Sequence, residues 1–107
     1  GLISIPGAMT PTEITAARAA GADIVKLFPA GALGVEYFKA IKAPLRHIPV
    51  AAVGGITPEN LLLFKKAGAC AYGISTGIFN AAAIKSEDYE HVRLLAREYV
   101  RLAAQQD

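Results

Sequence analysis

A single lysine, Lys26, interrupts the apolar run Ile24-Val25-Lys26-Leu27-Phe28, which Asp23 precedes and Pro29-Ala30 follows. In an extended run the side chains alternate, so Ile24, Lys26 and Phe28 share one face while Val25 and Leu27 share the other. An amine drawn out of water favours its neutral form, and a desolvated lysine amine is a nucleophile for carbonyl carbon. The plainer alternative is a stem that packs while its charged head reaches solvent. A second candidate is Gly54-Gly55, which closes the apolar run Val50 to Val53 just before Thr57-Pro58-Glu59. Glycines after a strand let backbone N–H groups approach an anion closely, and the helix starting at Thr57 aims its positive end the same way. A strand-to-helix turn needing positive φ would call for the same glycines. A third segment, Gly73-Ile74-Ser75-Thr76, ends another apolar run in the same manner.

Other reactive types carry less. His47 and His91 have no neighbouring ligand set, so no metal site is expected. Ser75 lacks a histidine and an acid in workable order for a hydrolase nucleophile. Cys70 reads as a small core residue at a strand start, and Tyr37 and Tyr72 as packing residues. With 107 residues, 53% hydrophobic, and a net charge of +2, the chain suits one modest globular domain and gives no reason to expect nucleic-acid binding. A lone cysteine fits a reducing, cytoplasmic setting. No run of about 18 apolar residues suggests a membrane span. Gly1-Leu2-Ile3-Ser4-Ile5 reads as the middle of a strand, as though chain preceded it.

The elements that must position these residues follow from local chemistry. Leu2 to Ile5 predicts a first strand ending at Pro6-Gly7. Thr10-Pro11-Thr12-Glu13 is a capping box with proline at the first helical position, and Gly21 offers the left-handed stop after Ala20. The lysine strand comes next, then a loop over Ala30 to Gly34 and a helix from Val35 to Lys42 that stops before Pro44. Val50 to Val53 is a strand, Thr57 caps a helix ending near Ala67-Gly68, and Ala69 to Ile74 is a fourth strand. Ser86-Glu87-Asp88 caps a last helix, with Val92, Leu95, Ala96, Tyr99 and Leu102 at helical spacing.

Thr10-Pro11 recurs as Thr57-Pro58, 47 residues on, with Gly7 matching Gly54 and Ala20-Gly21-Ala22 matching Ala67-Gly68-Ala69. Residues 1–107 therefore read as two tandem βαβα repeats of about 47 residues, an α/β chain of parallel strands. In this register Lys26 falls opposite Gly73, so the lysine breaks the repeat. A doubly wound sheet and part of an eight-stranded barrel both fit, and both place functional groups at the carboxyl ends of strands.

The segments Ile5-Pro6-Gly7-Ala8-Met9-Thr10-Pro11-Thr12-Glu13, Val25-Lys26-Leu27-Phe28-Pro29-Ala30 and Val53-Gly54-Gly55-Ile56-Thr57-Pro58-Glu59-Asn60 resemble the 2-keto-3-deoxy-6-phosphogluconate and 4-hydroxy-2-oxoglutarate aldolase family. The resemblance implies the C-terminal half, strands five to eight, of a TIM (β/α)8 barrel, with an N-terminal half-barrel segment as its complement. It further implies a class I, metal-free aldolase that cleaves a 2-keto-4-hydroxy acid to pyruvate and an aldehyde without a cofactor. Lys26 would form the Schiff base, Phe28 and Pro29 would pack beside it, and Gly54, Gly55, Gly73, Ser75 and Thr76 would hold a phosphate. The family usually places a second glycine where Ser75 stands, and many members place threonine at Val53, which resembles those acting on the galactonate-derived substrate. The base would be a glutamate on an early strand, outside the matched half, since Glu13, Glu36, Glu59 and Asp23 are not placed to serve. A homotrimer is also implied. The alternative function is a non-catalytic phosphate-binding βα module in which Lys26 only supplies charge, or an inactive aldolase fragment.

Overall fold

The computed structural model describes residues 1–106. Along the chain run β1 (Gly7–Ala8), α1 (Pro11–Ala19), β2 (Val25–Leu27), α2 (Ala30–Leu33), α3 (Val35–Lys42), β3 (Val50–Val53), α4 (Pro58–Lys66), β4 (Ala71–Gly73), α5 (Ala81–Lys85) and α6 (Tyr89–Ala104). The strands make a four-stranded parallel sheet in the order β1-β2-β3-β4, so the chain is α/β. The order follows the sequence without reversal, as in a barrel wall, whereas a doubly wound sheet reverses at its switch point.

Two helices open alike. Thr10 accepts a hydrogen bond from the Glu13 N–H while the Glu13 carboxylate accepts from the Thr10 N–H, and Thr57 and Asn60 repeat the exchange at α4. Both helices begin with proline, whose missing N–H would have had no partner in a first turn anyway. Both are followed by a glycine at φ +103°, Gly21 and Gly68, a conformation that suits residues without Cβ.

Strand alternation then sorts the faces. Val25, Leu27, Val50 and Ala52 are fully buried on the side where Ile14, Phe38, Ile41, Leu61, Phe64 and Leu102 arrive from the helices. Phe38 and Phe64 meet edge to face, with ring centroids 5.6 Å apart, and tie α3 to α4. The opposite face carries Gly7, Lys26 and Ala51 in register across three strands, with Ala71 beside Ala51. None of these four residues belongs to the main hydrophobic core cluster. Lys26 is half-buried there and Phe28 is half exposed.

Several expectations need correction. The first strand is Gly7–Ala8 and not Leu2 to Ile5, although the earlier segment runs beside β2 and its Ser4 and Pro6 carbonyls accept from Asp23, Ile24 and Lys26. Proline has no N–H to give a ladder, and Leu2, 97% exposed, meets no cover among the described residues. The expected loop from Ala30 to Gly34 contains the short helix α2. A further short helix, α5, is capped by Asn80, whose side chain accepts from the Ala82 and Ala83 N–H groups. Within the last expected cap, Asp88 alone acts, accepting from the His91 N–H. Cys70 is exposed and not in the core, because it precedes β4, which pairs on one side only. No helix among the described residues is long and apolar enough to cross a membrane.

Candidate functional site

The carboxyl ends of β2, β3 and β4 open into a cavity of about 460 Å³. Lys26, Phe28, Val53, Gly54, Gly55, Gly73, Ser75 and Thr76 line it, so eight of the nine residues singled out in the sequence come together. Pro29 does not line it; the Phe28-Pro29 peptide is cis, and Pro29 lies behind Phe28 against Gly54. Ile74, from the third candidate segment, also lines it, and Ile56 and Gly77 complete the wall without having been singled out.

Small neighbours explain how Lys26 fits. Its register partners are Gly7 and Ala51, so no bulky side chain crowds the aliphatic stem on either side. The ammonium lies over the Phe28 ring, 4.9 Å from the centroid, within cation–π range. Lys26 is the one charged residue lining the cavity, and no carboxylate lines it among the described residues. Glu13 stands at the same end of the sheet but is committed elsewhere: the Thr10 hydroxyl, and the Thr10 and Met9 N–H groups, donate to its carboxylate and hold it below the usual range. Lys42 is also outside this site, donating to the carbonyls of Leu45 and Ile48, with burial lowering its ammonium's proton affinity.

The glycines are required by contact. At Gly54, with φ +89°, a Cβ would come within 2.7 Å of the Phe28 ring. At Gly73 it would come within 2.7 Å of Val53, its register partner. Gly31 in α2 touches Gly55 so closely that a Cβ there would lie 2.6 Å from the Gly55 carbonyl.

These contacts orient the β3–α4 turn. The Gly31 N–H donates to the Gly54 carbonyl at 2.7 Å, and the Asn60 amide donates to the Gly55 carbonyl at 2.9 Å. In a trans peptide the N–H points opposite to the carbonyl, so the Gly55 and Ile56 N–H groups face away from Gly31 and Asn60. Neither donates to a backbone hydrogen bond recorded among the described residues, and the same holds for Ser75, Thr76 and Gly77. Free N–H groups from two turns on one cavity make a concavity suited to an anion. Gly31 and Asn60 escaped the sequence reading; Asn60 gave a signal, since it occupies the capping-box position that Glu13 fills in α1.

Comparison with known proteins places the chain in a family. The family described as "Aldolase: KDPG and KHG aldolase" matches residues 2–95. The chain belongs to the KDPG and KHG aldolase family. Among aldolases of this kind, the 2-dehydro-3-deoxy-6-phosphogalactonate aldolase of Escherichia coli (strain K12) is 44% identical over 82 residues, covering 76% of this chain and 40% of that protein. The solved structure called "Native KDPGal structure" superimposes with a TM-score of 0.79 at 35% identity, covering 98% of this chain and 52% of that one. A cube-shaped, highly porous protein cage designed by fusing symmetric oligomeric domains is also similar, with a TM-score of 0.75 and 36% identity over 92% of this chain and 37% of that one. The chain thus spans about half, or less, of the length of these relatives, and its parallel α/β fold is like the TIM-barrel-like fold of KDPG aldolases.

Proposed function

We propose that this chain supplies the nucleophile and the phosphate cradle of a class I aldolase that cleaves a 2-keto-4-hydroxy acid to pyruvate and an aldehyde. The observation that carries the reading is the meeting, in one cavity, of the strand-borne Lys26 amine with the turns at Gly54-Gly55 and Ser75-Gly77. The Lys26 amine adds to the keto carbon, and loss of water leaves an imine whose positive nitrogen withdraws electrons. A base takes the proton of the C4 hydroxyl, the C3–C4 bond breaks, and the electron pair moves into an enamine as the aldehyde leaves. Protonation of the enamine carbon and hydrolysis of the imine release pyruvate and return the amine. No metal or cofactor enters this sequence. The Phe28 ring packs beside the imine, and Val53 and Gly73 shape the wall facing the substrate chain.

Among the described residues no carboxylate lines the cavity, so in this reading the base comes from outside it. In this reading the chain forms strands five to eight of a (β/α)8 barrel, built as two tandem βαβα repeats, and an N-terminal half-barrel segment completes the enclosure. The one-sided pairing of β1 and β4 and the exposed Leu2 and Ile3 support that arrangement. The name of the Escherichia coli relative supports a phosphorylated galactonate-derived substrate, and Val53 fits the same choice. Likeness to a cage fused from symmetric oligomeric domains supports an oligomer, a homotrimer in this reading, and the enzyme is cytoplasmic. The test is pyruvate release from 2-keto-3-deoxy-6-phosphogalactonate by the full protein, with Lys26→Arg as control because guanidinium stays protonated. Turnover abolished in Lys26→Arg supports the reading, and turnover retained by that variant rejects it.

A further inference from the structure

Tyr99 lies outside the cavity, on α6, yet touches both turns that form it. Its side chain is 5% exposed, lines a second, apolar cavity together with Leu61, Tyr72, Ile74 and Ile78, and its hydroxyl donates to the Ile56 carbonyl at 3.2 Å. On the other turn, a Cβ placed on Gly77 would strike the same phenol oxygen and would lie 3.0 Å from the ring carbon that bears it. Gly77 therefore has to be glycine for the β4–α5 turn to close over Tyr99. Burial, and then the negative charge of Glu59, push the phenol above its ordinary range, so it stays a donor at neutral pH. The Ile56 bond extends a series begun by Gly31 at Gly54 and Asn60 at Gly55. The carbonyls of three consecutive residues are thereby drawn into protein contacts, which leaves the Gly55 and Ile56 N–H groups at the cavity.

We propose that Tyr99 is a positioning residue that holds the Ile56 and Gly77 turns in mutual register, and that this register sets affinity for the phosphate of the substrate. The inference rests on the phosphate cradle of the proposed function, but its mechanical part does not. Removal of the hydroxyl leaves the buried Ile56 carbonyl without its donor and frees one turn from the other. Pyruvate carries no phosphate, so its reaction at Lys26 depends far less on this register.

The experiment compares the full protein with Tyr99→Phe, measuring amide hydrogen exchange at Gly31 and Thr57 for the first turn and at Ile78 and Phe79 for the second, whose N–H groups are hydrogen-bonded there, together with binding of inorganic phosphate and reductive trapping of pyruvate. Exchange should rise at both turns and phosphate affinity fall by roughly ten-fold, about 1.4 kcal/mol, with trapping much less affected. Gly77→Ala should loosen phosphate binding from the other side, and its effect should be smaller in the Tyr99→Phe background, where the oxygen it strikes is gone. A purely structural role would give additive losses that depress trapping and phosphate binding alike. Unchanged exchange and unchanged phosphate affinity in Tyr99→Phe overturn the proposal, as does additivity with Gly77→Ala. If the native protein binds no phosphate while the turns still loosen in Tyr99→Phe, the clamp is upheld and the phosphate reading of the cavity falls.

Discussion

The Lys26 ammonium rests 4.9 Å from the centroid of the Phe28 ring, two residues on along the same strand face. The Cδ2–Cε2 edge of that ring fills the space that a side chain at Gly54 would need. One aromatic ring thus couples the amine to the first glycine of the β3–α4 turn.

Phe28→Ala should weaken keto-acid capture without destroying the fold, because the ring is half exposed and lies outside the core. The expected effect is about a ten-fold rise in the pyruvate concentration for half-maximal trapping, equivalent to about 1.4 kcal/mol. Titration of trapping yield against pyruvate measures it.

Gly54→Ala should lose stability for two reasons, the positive φ and the contact with Phe28. Together they predict a loss of about 1–3 kcal/mol. Urea unfolding should show the loss partly restored in Gly54→Ala/Phe28→Ala, since the second change removes the contact but not the φ strain.

The α1 cap predicts an acid dependence. Hydrogen bonds from Thr10 and Met9 lower the folded-state proton affinity of Glu13, so its contribution is present above the unfolded carboxylate range and is lost as pH falls through the lower folded value. Thr10→Ala should cost about 1 kcal/mol near neutral pH. Unfolding curves between about pH 3 and 7 should show that cost shrinking as the carboxylate protonates.

Ser75 bears on substrate choice. It lines the cavity on the turn after β4, and its carbonyl accepts from the Ile78 and Phe79 N–H groups. Crowding by its side chain predicts weak discrimination between phosphorylated and unphosphorylated keto acids, improved in Ser75→Gly by roughly ten-fold. Relative kcat/KM for 2-keto-3-deoxy-6-phosphogluconate and 4-hydroxy-2-oxoglutarate reads this out. A strong native preference that Ser75→Gly leaves unchanged removes Ser75 from the account.

Much of the architecture was legible because local chemistry and long-range packing agree. The Thr10 and Thr57 capping boxes, Gly21 and Gly68, and the apolar runs at β2 and β3 each satisfy backbone demands that hold in any context. The faces of β2 were legible too, since Val25 and Leu27 alternate strictly with Lys26. Legibility failed where environment decides. Leu2 to Ile5 has strand composition but lies at an edge that ends in Pro6, and Cys70 is apolar in sequence yet exposed beside a strand paired on one side. Within the site, Lys26 and the Gly54-Gly55 pair announced themselves by breaking an apolar pattern. Gly31, Gly77 and Tyr99 act through contacts distant in the chain, whereas Asn60 acts on its near neighbours Gly55 and Thr57 and so left a local signal.

The central claim is that Lys26 is the nucleophile, and reductive trapping tests it most directly. The full protein would be incubated with pyruvate and borohydride, digested, and the modified lysine located by mass spectrometry. The account predicts a single pyruvate adduct at Lys26, absent in Lys26→Arg. An adduct at Lys39, Lys42 or another lysine, or an adduct undiminished in Lys26→Arg, would contradict it.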